Sequence, residues 1–576
     1  MVLEAEIDEF VRNMEAGKEG PYDGIKWLFP PELEARRADL TEYRDVIDAR
    51  FGSLVYISEL VKKSKTAAEC RQAGNQRFTV KRWHSALLNY NEGLCFAEPG
   101  SEELGLAYAN RSAVYFEQGD YELALHNIDL AKRHNYPERL MAKLLDREAE
   151  CKRKIENGQS KGIVPALRMG INVEINPKIP FLAKGIGMKQ YPGLGRGLIA
   201  LKDFQPGDVI LDEKPELCAV SFNNNFSYHY CFHCGSEFQT SLIPCPKCTN
   251  HMYCSESCLE TDWKQAHRFE CAVAMKLFNI SLTSASYGRL IGRLFFYGLT
   301  AFGDNVQQMM TWCEQNYDTG SDPLQIDFST ERDPLKIFKA LHSTKVKPNP
   351  QFEHDFKLIT ACYYQIYLKS PQVQAIFRKR THRNFMLRCL HHYALVTWTL
   401  QSDTPRPPGV STITPITSLL NHSCDPNALT VIHSGRIVTV ILRPVREGAQ
   451  IFTSYGPRWW DPKLADYELT SFACQCVVCG NHPPGQKWRA ALQRADVPKQ
   501  MLLEVSQIAK LVERPGIVDA AKMDAMKQFI MRHTRAYPLP ALGEIVRLYA
   551  VFLEDAIQSE NETRERLTVR AELLGD

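Results

Sequence analysis

A chain of 576 residues is longer than one hydrophobic core sustains, about 250–300 residues, so several domains are expected. Its 44% apolar and 24% charged residues suit a globular protein, and a net charge of +2 argues against a broad nucleic-acid-binding surface. The acidic, helix-patterned start MVLEAEIDEFVRN is unlike a secretory leader, and no apolar run approaches the roughly 20 residues that span a bilayer.

In chain order, residues 1–64 read as an N-terminal helical segment, and residues 65–157 carry two matched helical pairs. Each pair places a small residue where its helices cross (Gly74, Ser112), an aromatic near the turn (Trp83, Tyr121) and then an alanine (Ala86, Ala124). The two alanines lie 38 residues apart. That spacing resembles the tetratricopeptide repeat, about 34 residues long, with an insertion at EPGSEE. Any two antiparallel helical hairpins would share part of this layout. Arg71, Asn75, Asn110, Arg139 and Lys143 resemble the carboxylate clamp with which such repeats grip the C-terminal peptide of heat-shock chaperones.

Residues 188–230 turn to strands, with a Pro206-Gly207 turn between two of them. The spaced glycines Gly193, Gly195 and Gly197 do not open a helix, as a phosphate-cradling loop should, which excludes a dinucleotide fingerprint. Residues 231–271 hold Cys231, Cys234, Cys245, Cys248, Cys254, Cys258, His267 and Cys271, spaced C-x2-C, C-x2-C, C-x3-C and H-x3-C. Eight ligands fill two tetrahedral zinc sites with no position left for water, so the sites are structural. A 41-residue segment would depend on the metal to fold. Without a leader, clustered cysteines read as thiolates kept reduced in cytoplasm and nucleus.

Residues 272–400 are helical, residues 401–458 return to strands, and residues 485–576 are helical again. Between them, residues 459–482 contain Cys474, Cys476 and Cys479 in a C-x-C-x2-C run, one ligand short of a zinc site. Cys424, fifty residues upstream of Cys474, supplies the fourth. The chain is thus read as multidomain α+β.

The GRG at 195–197, NHSCDPN at 421–427, SYG at 454–456 and this four-cysteine set resemble SET-domain methyltransferases and their post-SET zinc. The 231–271 ligands, with Tyr253 and Trp263, resemble a MYND finger. Together they are similar to the SET-and-MYND-domain (SMYD) protein-lysine methyltransferase family, in its tetratricopeptide-containing branch. The resemblance implies a β-rich SET domain split by the MYND finger and the helical insertion, then a C-terminal α-helical domain. It implies methyl transfer from S-adenosylmethionine to a lysine ε-amine of a protein, histone or non-histone, and three structural zincs. Cys231, Cys234, Cys254 and Cys258 would hold one zinc; Cys245, Cys248, His267 and Cys271 the second; Cys424, Cys474, Cys476 and Cys479 the third. Tyr455 would be catalytic. Leu194, Gly195, Arg196, Gly197, Asn421, His422, Tyr455 and Phe472 would hold the cofactor, and the MYND finger would take proline-rich peptides. The alternative is a catalytically silent scaffold acting through its finger and repeats as a transcriptional or chaperone adaptor. One departure stands out: many SET domains carry an acidic pair where this chain has Gly448-Ala449-Gln450.

Overall fold

The computed structural model describes residues 59–161, 167–220, 228–237, 241–281, 287–316, 321–330, 333–344, 353–403, 410–456, 458–460, 474–480, 482–493, 497–512 and 520–574. The expected helical segment 1–64 lies almost wholly outside these residues, and so does Phe472. Among the described residues, no helix is long and apolar enough to cross a membrane.

Five helices open the described chain: α1 (Ser64–Thr79), α2 (Trp83–Phe96), α3 (Glu102–Glu117), α4 (Tyr121–Arg133) and α5 (Met141–Glu156). The two hairpins repeat one packing solution. Phe78 meets Trp83 edge-on at 5.2 Å, and Phe116 meets Tyr121 edge-on at 5.4 Å. Ala86 and Ala124 are both fully buried, so each hairpin closes on a side chain small enough to let the helices approach. Four of the five clamp-like residues have partners within the hairpins. Arg71 bonds Glu103 and Arg139 bonds Glu102, two acids at the N-terminus of α3, where carboxylates are favoured. Asn75 Oδ1 accepts from Tyr90 and Asn110. Of the five residues, Lys143 faces the groove lined by Phe78, Phe116 and Arg147.

Strands β1 (Ile186–Tyr191), β2 (Gly195–Ala200), β3 (Val209–Glu213) and β4 (Leu217–Val220) precede the cysteine-rich segment, which contains β5 (Ile243–Pro244), β6 (Met252–Tyr253) and α6 (Glu256–Asp262). The insertion is built on α7 (Tyr287–Ala301), α8 (Glu353–Tyr367) and α9 (Arg380–Leu400). Then come β7 (Gln401–Asp403), β8 (Val410–Ile413), β9 (Asn421–His422), β10 (Ala428–His433), β11 (Arg436–Ile441) and β12 (Phe452–Thr453). Helices α10 (Pro483–Leu492), α11 (Lys499–Val512), α12 (Ala520–His533) and α13 (Pro540–Leu574) close the chain.

The sheets are small: β1-β2, β10-β11-β3, β4-β8-β7, the parallel pair β12-β9, and β5-β6. Strands on either side of the cysteine-rich segment and the insertion pair directly, β3 with β11 and β4 with β8, so one β unit is interrupted in sequence but continuous in space. Every residue of β11 is buried. Its two faces separate one core from another, not core from solvent. Val209, Leu429, Val431, Val438 and Val440 pack with Phe529, Ile545 and Val546 of the C-terminal helices. Leu211, Ala428 and Ile441 join the central core with Leu294 and Phe295 of α7.

Buried charges link these parts. Arg111, 1% exposed, donates to Asn91, Asn127, Ser241 Oγ and the Leu242 carbonyl, which seats the helical hairpins on the cysteine-rich segment. Arg293 of α7 pairs with Asp262 and Glu270 and also donates to the Cys218 and Phe232 carbonyls. A buried ion pair repays its desolvation only when its remaining donors find partners, and both arginines sit in such networks.

Candidate active site

The β1–β2 turn is a two-glycine device. Leu194 N donates to Tyr191 O, with Pro192 and then Gly193 in the middle positions. Gly193 sits at φ +77° and Gly195 at +76°, and a Cβ on either would meet nothing within 4 Å. This is the pattern of a type II turn, with proline fixing one φ and glycine supplying the positive one. Its backbone borders open space, and Leu194 is exposed. Gly197 has the opposite reason for being glycine. A Cβ there would lie 2.5 Å from Gln450 Nε2 and 2.6 Å from Asn421 Nδ2. Asn421 Nδ2 donates to Arg196 O at 3.0 Å, pinning β2 to the β9 loop. The Arg196 guanidinium points elsewhere, bonding Ser321 O at 2.9 Å and Thr344 Oγ1 at 3.1 Å in the insertion.

β9 and β12 bring the two distant motifs side by side, Asn421 against Phe452 and His422 against Thr453. Ser423 N then donates to Thr453 O at 2.8 Å, and Tyr455 N donates to His422 Nδ1 at 3.0 Å. That bond makes Nδ1 the acceptor, so the ring proton belongs on Nε2, which lies 3.3 Å from Cys424 Sγ. Burial holds the His422 imidazole below its ordinary pKa, in keeping with a neutral ring. The Tyr455 ring lies 5.2 Å from that of His422, and its hydroxyl donates to Leu420 O at 2.6 Å. Desolvation around its hydroxyl pushes the Tyr455 phenol up to about 12, although about half of the residue stays exposed. It is therefore a hydrogen-bonding hydroxyl throughout the neutral range.

Asn427, the last residue of NHSCDPN, ties the neighbouring strand ends. Its side chain donates to Gln450 O at 2.9 Å and accepts from Phe452 N at 2.8 Å. Gln450, where an acidic residue is common, thus packs over Gly197 beside the site.

Glu213, at the end of β3, sets the approach to β9. It accepts from Ile416 N, Thr417 N and Thr417 Oγ1 at 3.2, 2.8 and 2.6 Å. Burial raises its pKa to about 7 against the pull of those donors. The folded chain therefore holds a proton between about pH 4.5 and 7 that the unfolded chain has released. Stability from this group is greatest below that window and falls as pH rises through about 7, by roughly 3 kcal/mol in all. Glu213→Gln should flatten the decline of the melting temperature between pH 5 and 8; an unchanged slope would remove Glu213 as its source.

The structure gathers the cysteines and His267 into three groups. Cys231, Cys234, Cys254 and Cys258 converge, as do Cys245, Cys248, His267 and Cys271, and Cys424, Cys474, Cys476 and Cys479, with the donor atoms of each group within 4.8 Å of one another. Measured separations include 3.6 Å for Cys234–Cys254, 3.4 Å for Cys254–Cys258 and 3.6 Å for Cys424–Cys479. Tetrahedral Zn–S bonds of about 2.3 Å place sulfurs roughly 3.7 Å apart, so the donor sets fit zinc. His251, not singled out by spacing, lies with His267 and Glu270 beside the second group, its Nε2 2.9 Å from Arg289. Its ring position behind Phe232 and against His267 depends on the fold and has no local signature.

Residues 195–456 match the family model for the SET domain. Protein-lysine N-methyltransferase SMYD4 of Danio rerio is 31% identical over 242 residues, covering 38% of this chain and 31% of the relative. SMYD4 of Homo sapiens is 24% identical over 557 residues, 73% of this chain and 68% of the relative. Histone-lysine N-methyltransferase ASHR1 of Arabidopsis thaliana is 26% identical over 301 residues, 51% of this chain and 55% of the relative. The chain spans between about a third and two thirds of the length of these relatives. The SET-domain match spans the β2 motif at 195–197, the Asn421–His422 strand and Tyr455, and the chain is similar to protein-lysine methyltransferases of the SMYD family.

Proposed function

We propose that this chain is a protein-lysine N-methyltransferase that moves a methyl group from S-adenosylmethionine to a lysine ε-amine of a protein substrate. The observation that carries this is the meeting of the glycine turn, Asn421–His422 and Tyr455 through Asn421 on Arg196 O and His422 on Tyr455 N. The open space above Gly193 and Gly195 supports cofactor binding there, since backbone can approach a ligand closely only where no Cβ intervenes. Bound S-adenosylmethionine would supply an electrophilic sulfonium methyl. Backbone at Leu194–Gly197 and the Asn421–His422 strand would hold it, and the Tyr455 hydroxyl would orient methyl and amine. A phenol raised to about 12 does not take the lysine proton, so the neutral amine must arise by desolvation of the lysine itself.

The three donor groups would hold structural zincs. The interleaved pairing in residues 231–271 supports a MYND finger and a proline-rich-peptide site on it. The repeated aromatic–alanine hairpins support a tetratricopeptide array, although a chaperone C-terminal peptide keeps support only from Lys143 and Arg147 in the groove. Free thiols throughout suit the reducing cytoplasm and nucleus. The test is isothermal titration with S-adenosylmethionine, combined with radiolabelled methyl incorporation into cell extract. Binding with incorporation is the expected result; binding of neither cofactor nor label would leave a scaffold.

A further inference from the structure

Asp425 sits in the same five-residue loop as Asn421, His422 and Cys424, and its carboxylate is 6% exposed. Its ligands come from three separate places. Arg443, following β11, meets Oδ2 at 2.8 Å and also the Asp425 carbonyl at 3.2 Å. Trp459, four residues beyond Tyr455, donates Nε1–H to Oδ1 at 3.0 Å. The Tyr537 hydroxyl, from the link between α12 and α13, donates to the same oxygen. Arg443 also lies 4.5 Å over the Tyr537 ring, so the cation is held by the carboxylate and by the ring face.

The loop 421–425 and the segment 452–459 are thus stapled at both ends. At one end are the β9–β12 pairing and the His422–Tyr455 bond. At the other, Trp459 N donates to Cys424 O at 2.9 Å while its indole reaches Asp425. Trp459 itself has no room to turn. A Cβ on Gly543 of α13 would come within 2.2 Å of it, and Trp488 of α10 meets it edge-on at 5.3 Å. The catalytic tyrosine and the proposed cofactor loop lie inside a frame whose far corner is closed by the C-terminal helices.

We propose, resting on the methyltransferase reading above, that Tyr537 and Asp425 form a positioning pair. Through it the C-terminal helices fix the loop that receives S-adenosylmethionine. Neither residue touches the reacting atoms; both act through the loop. Removing the Tyr537 hydroxyl leaves Asp425 paired with Arg443 and bonded by Trp459, so the fold survives while the loop loses its outer anchor.

The test uses the full chain carrying Tyr537→Phe. Titration with S-adenosylmethionine should show affinity weakened about tenfold, the size expected for one hydrogen bond to a charged group. The KM for S-adenosylmethionine should rise in parallel, while kcat at saturating cofactor stays within about twofold. Zinc content and melting temperature should stay near wild type. Trp459→Phe, which removes the second donor to the same oxygen from the segment just after the SET match, should act in the same direction and carries the test if Tyr537→Phe does not fold. Wild-type cofactor affinity in both variants, or a loss of melting temperature with affinity unchanged, overturns the positioning pair. Failure of the wild-type chain itself to bind S-adenosylmethionine would overturn the methyltransferase reading instead.

Discussion

Tyr455→Phe is expected to reduce methyl incorporation by about 10²–10⁴-fold, the range of effects for a hydroxyl that orients or stabilises a transition state. The substitution keeps the ring that lies tilted beside His422 at 5.2 Å and the backbone N–H that holds His422 Nδ1. What it removes is the hydroxyl on Leu420 O. An unmatched carbonyl costs about 1–3 kcal/mol, which a chain of this size should survive. Cofactor affinity should therefore change little, because Leu194–Gly197 and Asn421 are untouched, and zinc content should not change at all. The phenol at about 12 adds a second expectation. Below about pH 10 the rate should rise with the deprotonation of the substrate lysine, with no limb belonging to Tyr455. Radiolabel incorporation within tenfold of wild type would show that the reaction does not use this hydroxyl.

How far the site could be read from sequence depended on whether its geometry is local. Zinc ligand pairs are short-range, one turn or one knuckle apart, so Cys254–Cys258 and His267–Cys271 were visible as spacing, and the structure gathers all twelve expected donor residues into three groups. The spaced glycines at 193, 195 and 197 were visible, but the type II turn and the pairing of IGMKQY with β2 were not, because β1 mixes buried and exposed positions without a clean alternation. That β11 is buried on both faces was not legible, since α12 and α13, which help cover its second face, begin only at Ala520 and Pro540. For the clamp-like residues, spacing shows where the cations fall but not what pairs with them; Glu102 and Glu103 do so from α3. Arg111 with Ser241 and Asp425 with Tyr537 are separated by 130 and 112 residues, and nothing local encodes such partners.

Loss of zinc from the Cys424, Cys474, Cys476 and Cys479 group is expected to abolish tight cofactor binding while the helical ends remain folded. Of the three groups this one is the most open: Cys479 is exposed, whereas every donor of the Cys245, Cys248, His267 and Cys271 group is buried. Mild chelation should therefore release one zinc per chain before the other two. The consequence follows from Cys424. A metal-bound thiolate is the natural acceptor for His422 Nε2–H at 3.3 Å, and the same ring accepts from Tyr455 N. Once the metal leaves, the thiol takes up a proton, the acceptor weakens, and His422 no longer fixes Tyr455 to β9. Asn421, next to His422, loses its register on Arg196 O. The helical hairpins pack on the cysteine-rich segment and the C-terminal helices on β10 and β11, in cores that do not include Cys424, so far-UV circular dichroism should hardly change. Cys476→Ser should reproduce the chelation result, with two zincs retained and S-adenosylmethionine affinity down by at least about tenfold, as loss of a fixed ligand-bearing loop implies. Unchanged affinity after the first zinc has gone would mean that the loop is held by β9–β12 pairing alone and that the metal serves only the chain beyond Cys474.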